Sequence, residues 1–229
     1  MALTKSYVLI LILLVLGLSN STRGQSDKKT LSAVLIDNSG SMRSQFVRVT
    51  DLGDGIVQHV YLDGTSAVFS FEATGNPKDS PPLALTNSGW TSNRSLLRGY
   101  VRNLRIEPGQ TTLFDAIHSM AEQMNAKANI EKDSYARKVL VLITDGEDRL
   151  SKIKSKQLLA ELKQANIQVY AVGLVQALDK EVGFIGKSPR GGAVKFLRSI
   201  AESTGGRVVL PKTNRDDVDT LLRELFAGQ

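Results

Sequence analysis

The chain has 229 residues, 41% of them apolar and 23% charged, with 29 Lys plus Arg against 23 Asp plus Glu for a formal charge of +6, and no cysteine. That composition fits one globular domain, or two small ones, with enough chain to bury a core, and it excludes disordered, collagen-like and coiled-coil proteins. Without cysteine there are no disulfides, zinc fingers, iron–sulfur clusters, thiol catalysis or lipid-modified N-terminal Cys, so any metal ion rests on oxygen ligands or on His59 and His118.

At the N-terminus, residues 7–18 (YVLILILLVLGL) form an uncharged apolar run about as long as the core of a signal peptide and shorter than the roughly 20 residues of a membrane-spanning helix. Small residues follow, with Thr22 and Gly24 suitably placed for a peptidase. The sequence therefore predicts a signal peptide over residues 1–24 cleaved after Gly24, a short polar linker over 25–30 and one domain over 31–227. The expected location is secreted or periplasmic. An uncleaved anchor, the only route to a membrane, is the less favoured alternative because the run is short and poorly flanked. Cleavage removes Lys5 and Arg23, leaving 27 basic against 23 acidic residues, or +4.

Beyond the leader, short apolar runs at residues 31–36 (LSAVLI), 67–71 (AVFSF), 139–143 (VLVLI), 169–172 (VYAV) and 208–210 (VVL) read as strands buried on both faces of a mostly parallel sheet. A weak helix is predicted over 42–60, with Gly53 and Gly55 inside it. Pro81 and Pro82 make the segment reaching Leu85 an edge strand or loop, because proline cannot donate to a ladder. Helical stripes appear at Leu113, Ile117, Met120 and Met124; at Leu158, Leu159, Leu162 and Ala165; and at Val218, Leu221, Leu222 and Leu225. Strands alternating with helices predict one α/β domain, a doubly wound sheet with helices on both faces.

In such a sheet ligands collect beyond the carboxyl ends of the strands. After the first strand comes Asp37-Asn38-Ser39-Gly40-Ser41, which can aim a carboxylate and two hydroxyls at one point. After the 139–143 strand comes Thr144-Asp145-Gly146, offering a second carboxylate at the same edge. The loop Gly109-Gln110-Thr111-Thr112 precedes the Leu113 stripe and can bring Thr111 over the same place. Singly, each piece also reads as a turn or a helix cap. Jointly they give an oxygen-only set suited to a hard divalent cation such as Mg2+ or Mn2+.

These residues resemble the metal-ion-dependent adhesion site of the von Willebrand factor type A (VWA) domain: D-x-S-x-S at Asp37, Ser39 and Ser41, then Thr111, then Asp145. The resemblance covers residues 31–227 and is greatest to exported bacterial members. It implies a Rossmann-like sheet, with the edge strand antiparallel, and Mg2+ or Mn2+ held by Asp37, Ser39, Ser41, Thr111 and Asp145. It also implies an acidic residue of a protein or peptide partner taken at an open metal position. A monomeric, non-enzymatic adhesion or scaffold module is expected. Gln110 stands where many members have a second glycine.

Two loops should flank that edge. Residues 147–156 carry four basic and two acidic groups and residues 176–192 three basic and two acidic, predicting a positive collar that steers acidic ligands. The second, about 17 residues long with four glycines, is expected to set specificity.

The main competing class is a Mg-dependent hydrolase of phosphate esters. Against it, Ser39 stands where a second carboxylate would be needed, the stretch at 183–188 lacks the first glycine of a phosphate-binding loop, and no G-x-S-x-G occurs. His59 and His118 fall in helical segments and read as packing or surface residues. Nucleic acid is disfavoured as a partner by export and by the lack of a basic stripe interleaved with aromatics. Asn93-Arg94-Ser95 is a glycosylation sequon of use only in a eukaryotic host, and Asp216, Asp217 and Asp219 read as charges at a helix start.

Overall fold

A computed structural model describes residues 29–60, 64–74, 83–132, 134–180, 188–213 and 215–228. The expected leader and most of the expected linker lie outside these residues. In chain order the elements are β1 (Lys29–Asp37), a 3-10 turn (Gly40–Gln45), α1 (Phe46–His59), β2 (Thr65–Ala73), β3 (Leu83–Asn87), α2 (Arg94–Asn103), α3 (Leu113–Ile130) and β4 (Tyr135–Thr144). There follow α4 (Ser155–Gln164), β5 (Ile167–Gly173), a 3-10 turn (Val175–Lys180), α5 (Pro189–Ser203), β6 (Val208–Val209) and α6 (Val218–Leu225). Among the described residues no helix is long and apolar enough to cross a membrane.

The strands form one six-stranded sheet in the order β3-β2-β1-β4-β5-β6. All neighbours run parallel except β2 and β3, which pair antiparallel with Phe71 opposite Leu85. The mostly parallel, doubly wound sheet with one antiparallel edge strand is as expected, while Pro81 and Pro82 themselves lie outside the described residues. Each parallel crossover is long enough to carry a helix back across the sheet, which places helices on both faces.

Strand alternation divides the core in two. Leu35, Phe69, Leu140 and Leu142 face α3, α4 and α5, meeting Ile117, Met120, Leu158 and Leu197. Val34, Ile36, Val141 and Ile143 face α1, α2 and α6, meeting Leu52, Ile56, Leu97 and Leu222. The three helical stripes therefore cover the sheet.

The glycines that weaken α1 as a sequence helix are where other elements press closest. A Cβ on Gly53 would lie 3.0 Å from Val101 Cγ1, and one on Gly55 would lie 2.8 Å from Leu222 Cδ1. Packing against α2 and α6 outweighs the low helix propensity of glycine, roughly 1 kcal/mol per residue. Two expectations on extent change. β1 begins at Lys29, inside the expected linker, and β4 begins at Tyr135 because it pairs with that extension of β1.

Candidate metal centre

Because β1 and β4 are adjacent but lead to helices on opposite sides, the sheet has its switch point between them, and the loops after these two strands part there to leave a crevice. Asp37 closes β1 and Asp145 follows β4, so the strand order alone brings two carboxylates together. Both are buried, at 0% and 1% exposed.

The hydroxyls converge on them. Ser39 donates to Asp37 Oδ1 through its amide at 3.1 Å and through Oγ at 2.6 Å. Ser39 Oγ, its hydrogen committed to Asp37, also lies 3.2 Å from Ser41 Oγ and 3.1 Å from Thr111 Oγ1. Ser41 hydrogen-bonds Asp145, whose Oδ1 accepts from the Glu147 amide at 3.0 Å. All five residues named from the sequence thus meet in one hydrogen-bonded cluster. The plainer cap reading fails for Ser39 and Thr112, whose side chains make no capping bond, whereas Asp145 does form the turn it suggested.

Electrostatics favours a cation at this point. Burial, reinforced by the nearby charge of Asp145, pushes the Asp37 carboxyl up to about 7 in spite of its donors from Ser39 and Thr144. Burial likewise raises Asp145. Two buried carboxylates side by side resist joint ionisation, and a divalent ion between them removes that penalty. No group of three or more His, Cys, Asp or Glu side chains converges among the described residues, so a cation held here would draw its other protein ligands from Ser39, Ser41 and Thr111. Oxygen-only donors of this kind fit Mg2+ or Mn2+.

The loops are tied to one another by backbone. Gly40 N donates to Gly109 O at 3.2 Å, and a Cβ on Gly109 would lie 3.0 Å from Ala73 O. Thr111 O accepts from the amides of Arg149 and Leu150 at 3.0 and 3.2 Å. Gln110 is exposed at its side chain and donates no group to the cluster, while its carbonyl accepts from Ala73 N.

Three further residues support the cluster. Thr144 Oγ1 donates to Asp37 Oδ2 at 2.7 Å and accepts from Gly146 N. Its signal was a polar residue directly after the apolar run at 139–143. Asp148 Oδ1 accepts from Phe114 N, and buried Asp115 accepts from the amides of Lys152 and Ile153. These two carboxylates staple the start of α3 to the loop after Asp145, a long-range pairing that local sequence does not signal.

In the first loop of the expected collar one basic and one acidic group pair with each other. Arg149 forms an ion pair with Glu147 at 2.8 Å, and both charges bear on Asp145 with opposite sign. Lys152, Lys154 and Lys156 are exposed. The second loop includes the 3-10 turn to Lys180 and Ser188, whose side chain caps α5; residues 181–187 lie outside the described part. Both histidines are engaged elsewhere: His59 stacks on Phe226 and His118 Nδ1 meets Glu161 at 2.7 Å. Asn93 caps α2 and Asp217 caps α6.

Comparisons with known proteins agree with the fold. No curated protein matches the sequence. Among solved structures, the chain is similar to the pilus adhesin SpaC of Lactobacillus rhamnosus GG in its open conformation, at a TM-score of 0.61 and 14% identity over 88% of this chain and 30% of that one. It is similar to an aerotolerance-related membrane protein of Bacteroides fragilis, at 0.56 and 16% over 86% and 98% of the two chains. It is also similar to proximal thread matrix protein 1 of the mussel byssus, at 0.61 and 15% over 87% and 47%. At such identities the likeness is one of fold, and the chain spans less than a third of the pilus adhesin. The sequence profile of the von Willebrand factor type A domain matches residues 33–205, and with the end of β1, all of β4 and the loops after them inside that match the chain belongs to the VWA family.

Proposed function

We propose that this protein is an exported, divalent-cation-dependent protein-binding module, without catalysis of its own, that captures an acidic residue of a partner. Asp37, Ser39, Ser41, Thr111 and Asp145 hold Mg2+ or Mn2+. The observation that carries the reading is the meeting of two buried carboxylates and three hydroxyls at the switch point of the sheet. A cation bound there would supply an electrophilic position that a partner Asp or Glu can occupy, gaining an ionic contact in a partly dehydrated setting. The residues of this chain divide the remaining work. Asp37 and Asp145 provide the charge, Thr144 orients Asp37, and the Thr111 loop is fixed by the amides of Arg149 and Leu150.

Export is supported by the apolar run at residues 7–18, and two of the structurally similar proteins are a pilus adhesin and a membrane protein. The partner is a protein or peptide rather than nucleic acid, and the module acts as a monomer. In the test, immobilised protein captures partners from its native source with Mg2+ or with EDTA. Capture should require the cation and vanish in Asp37→Ala and Thr111→Ala. Equal capture in EDTA, or robust turnover of phosphate esters with Mg2+, would overturn the reading.

A further inference from the structure

Asn38, Glu72 and Glu107 gather three further oxygen-bearing side chains next to the Asp37 cluster. β1 and β2 pair in register with Ile36 opposite Ser70 and Asp37 opposite Phe71, and the Asn38 amide continues the ladder to Phe71 O at 3.3 Å. Val34, Ile36 and Val68 face α1 and α2, and Ser70 Oγ meets the Tyr100 hydroxyl of α2 at 3.0 Å. Strand alternation therefore puts Asn38 and Glu72 on that same face, side by side on chains about 4.8 Å apart. The loop after α2 passes over them. Asn38 Nδ2 donates to Arg105 O at 3.1 Å, and Asn38 O accepts from Glu107 N at 3.0 Å.

Two of these oxygens are buried without a donor. Asn38 is only 7% exposed, yet its Oδ1 accepts no hydrogen bond, and neither does Glu72 Oε2, which is sealed from solvent. Acceptors left in this way are costly, and a bound ion or water is a usual reason for them. Burial and the like charge of Glu107 both raise the Glu72 carboxyl above its ordinary range, and among the described residues no cation offsets them. Arg105 points elsewhere, its Nη1 turning back to Asn103 O and Leu104 O at 3.2 and 2.8 Å.

We propose that Asn38 Oδ1, Glu72 and Glu107 form a calcium site, completed by water, that fastens the loop before α3 to the ends of β1 and β2. A water alone would satisfy Asn38 but leave two carboxylates opposed; a divalent cation answers both. Ca2+ takes about six to eight oxygens, amide carbonyls included, at about 2.3–2.6 Å in loose geometry, whereas Mg2+ demands a near-octahedral set at about 2.0–2.1 Å. Ligands drawn from two strand ends and from Glu107 on an exposed stretch of loop suit the more tolerant ion. The site shares no ligand with the Asp37 cluster, so either can stand without the other.

Calorimetric titration of Ca2+ into the full chain carrying Asp37→Asn, which disables the first centre, isolates this one. One Ca2+ per chain is expected, with a dissociation constant of about 10−4–10−3 M, as for sites with few charged ligands. Glu72→Gln and Glu107→Gln keep size and remove charge, and each should weaken binding at least about tenfold with circular dichroism unchanged. Glu202→Gln, at an exposed position of α5, should alter it less than about twofold. Mg2+ at the same concentrations should give no binding heat. Absence of Ca2+ binding, binding that survives both glutamine variants, or an equal response to Mg2+ would overturn the proposal.

Discussion

Thr144 Oγ1 donates to Asp37 Oδ2 at 2.7 Å across neighbouring strands, joining two buried residues 107 positions apart in the chain. Asp37 thereby has both oxygens satisfied before any ion arrives, one by Ser39 and the other by Thr144. Thr144→Val preserves shape while removing this bond and the acceptor used by Gly146 N. The expected cost is about 1–3 kcal/mol in urea unfolding, with Mn2+ affinity down about tenfold by calorimetric titration. Wild-type Mn2+ affinity in this variant would show that Thr144 does not position Asp37.

Much of the layout was legible because the chemistry of a parallel sheet is concentrated in short patterns. The apolar runs that became β1, β2, β4 and β5 are buried on both faces, and such runs need no partner information to be recognised. The expected ligands were legible jointly rather than singly, since each piece alone also reads as a turn or a cap and only three such pieces at one sheet edge point to a shared site. Less legible were features whose cause lies elsewhere in the chain. Gly206 is an instance, since a Cβ there would lie 2.0 Å from Val169 O on a different element. Charge counting in the collar included Glu147 and Arg149 but could not show that the two pair with each other.

The repulsion between Asp37 and Asp145 gives a prediction of opposite sign for stability and binding. Asp37→Asn removes one buried charge, and an amide oxygen can still accept from Ser39 while the amide nitrogen faces Thr144 Oγ1. In EDTA at neutral pH the variant should melt higher than wild type, because the uncompensated pair is relieved. Adding Mg2+ should raise the melting temperature of wild type and leave the variant unmoved. A variant less stable than wild type in EDTA would show that the two carboxylates are not in conflict.

A pH effect belongs to a different part of the molecule. Arg98 hydrogen-bonds Asp54 from α2 to α1 at 2.8 Å, with Arg102 close by, and the hydrogen bond from Arg98 is the main cause holding the Asp54 carboxyl below its ordinary range. A depressed acid contributes stability that is full above the unfolded value near 4 and is lost as pH falls through the lower folded value. The pair is partly exposed, so the contribution is about 0.5–1 kcal/mol. Asp54→Asn should therefore be less stable than wild type by that amount at pH about 7, and the gap should close in acid as pH falls through the lowered Asp54 value. A gap that persists undiminished in acid would assign the loss to packing.

Asp115 tests whether the two loops of the candidate centre behave as one body. It is 4% exposed, sits in the first turn of α3 and accepts from the amides of Lys152 and Ile153 at 3.0 and 3.1 Å, while its own amide donates to Ser151 Oγ at 3.0 Å. These hydrogen bonds go to none of the five expected ligands. Asp115→Ala leaves two backbone donors without their acceptor and should cost about 2–3 kcal/mol, with amide exchange in residues 148–153 accelerated. Thr111 O is bonded to Arg149 and Leu150 within that same loop, so freeing it should move Thr111 as well. Mn2+ affinity should then fall several-fold although no ligand has changed. Faster exchange with unaltered affinity would mean that Thr111 keeps its place without the staple, and that the loop after Asp145 moves separately from the loop before α3.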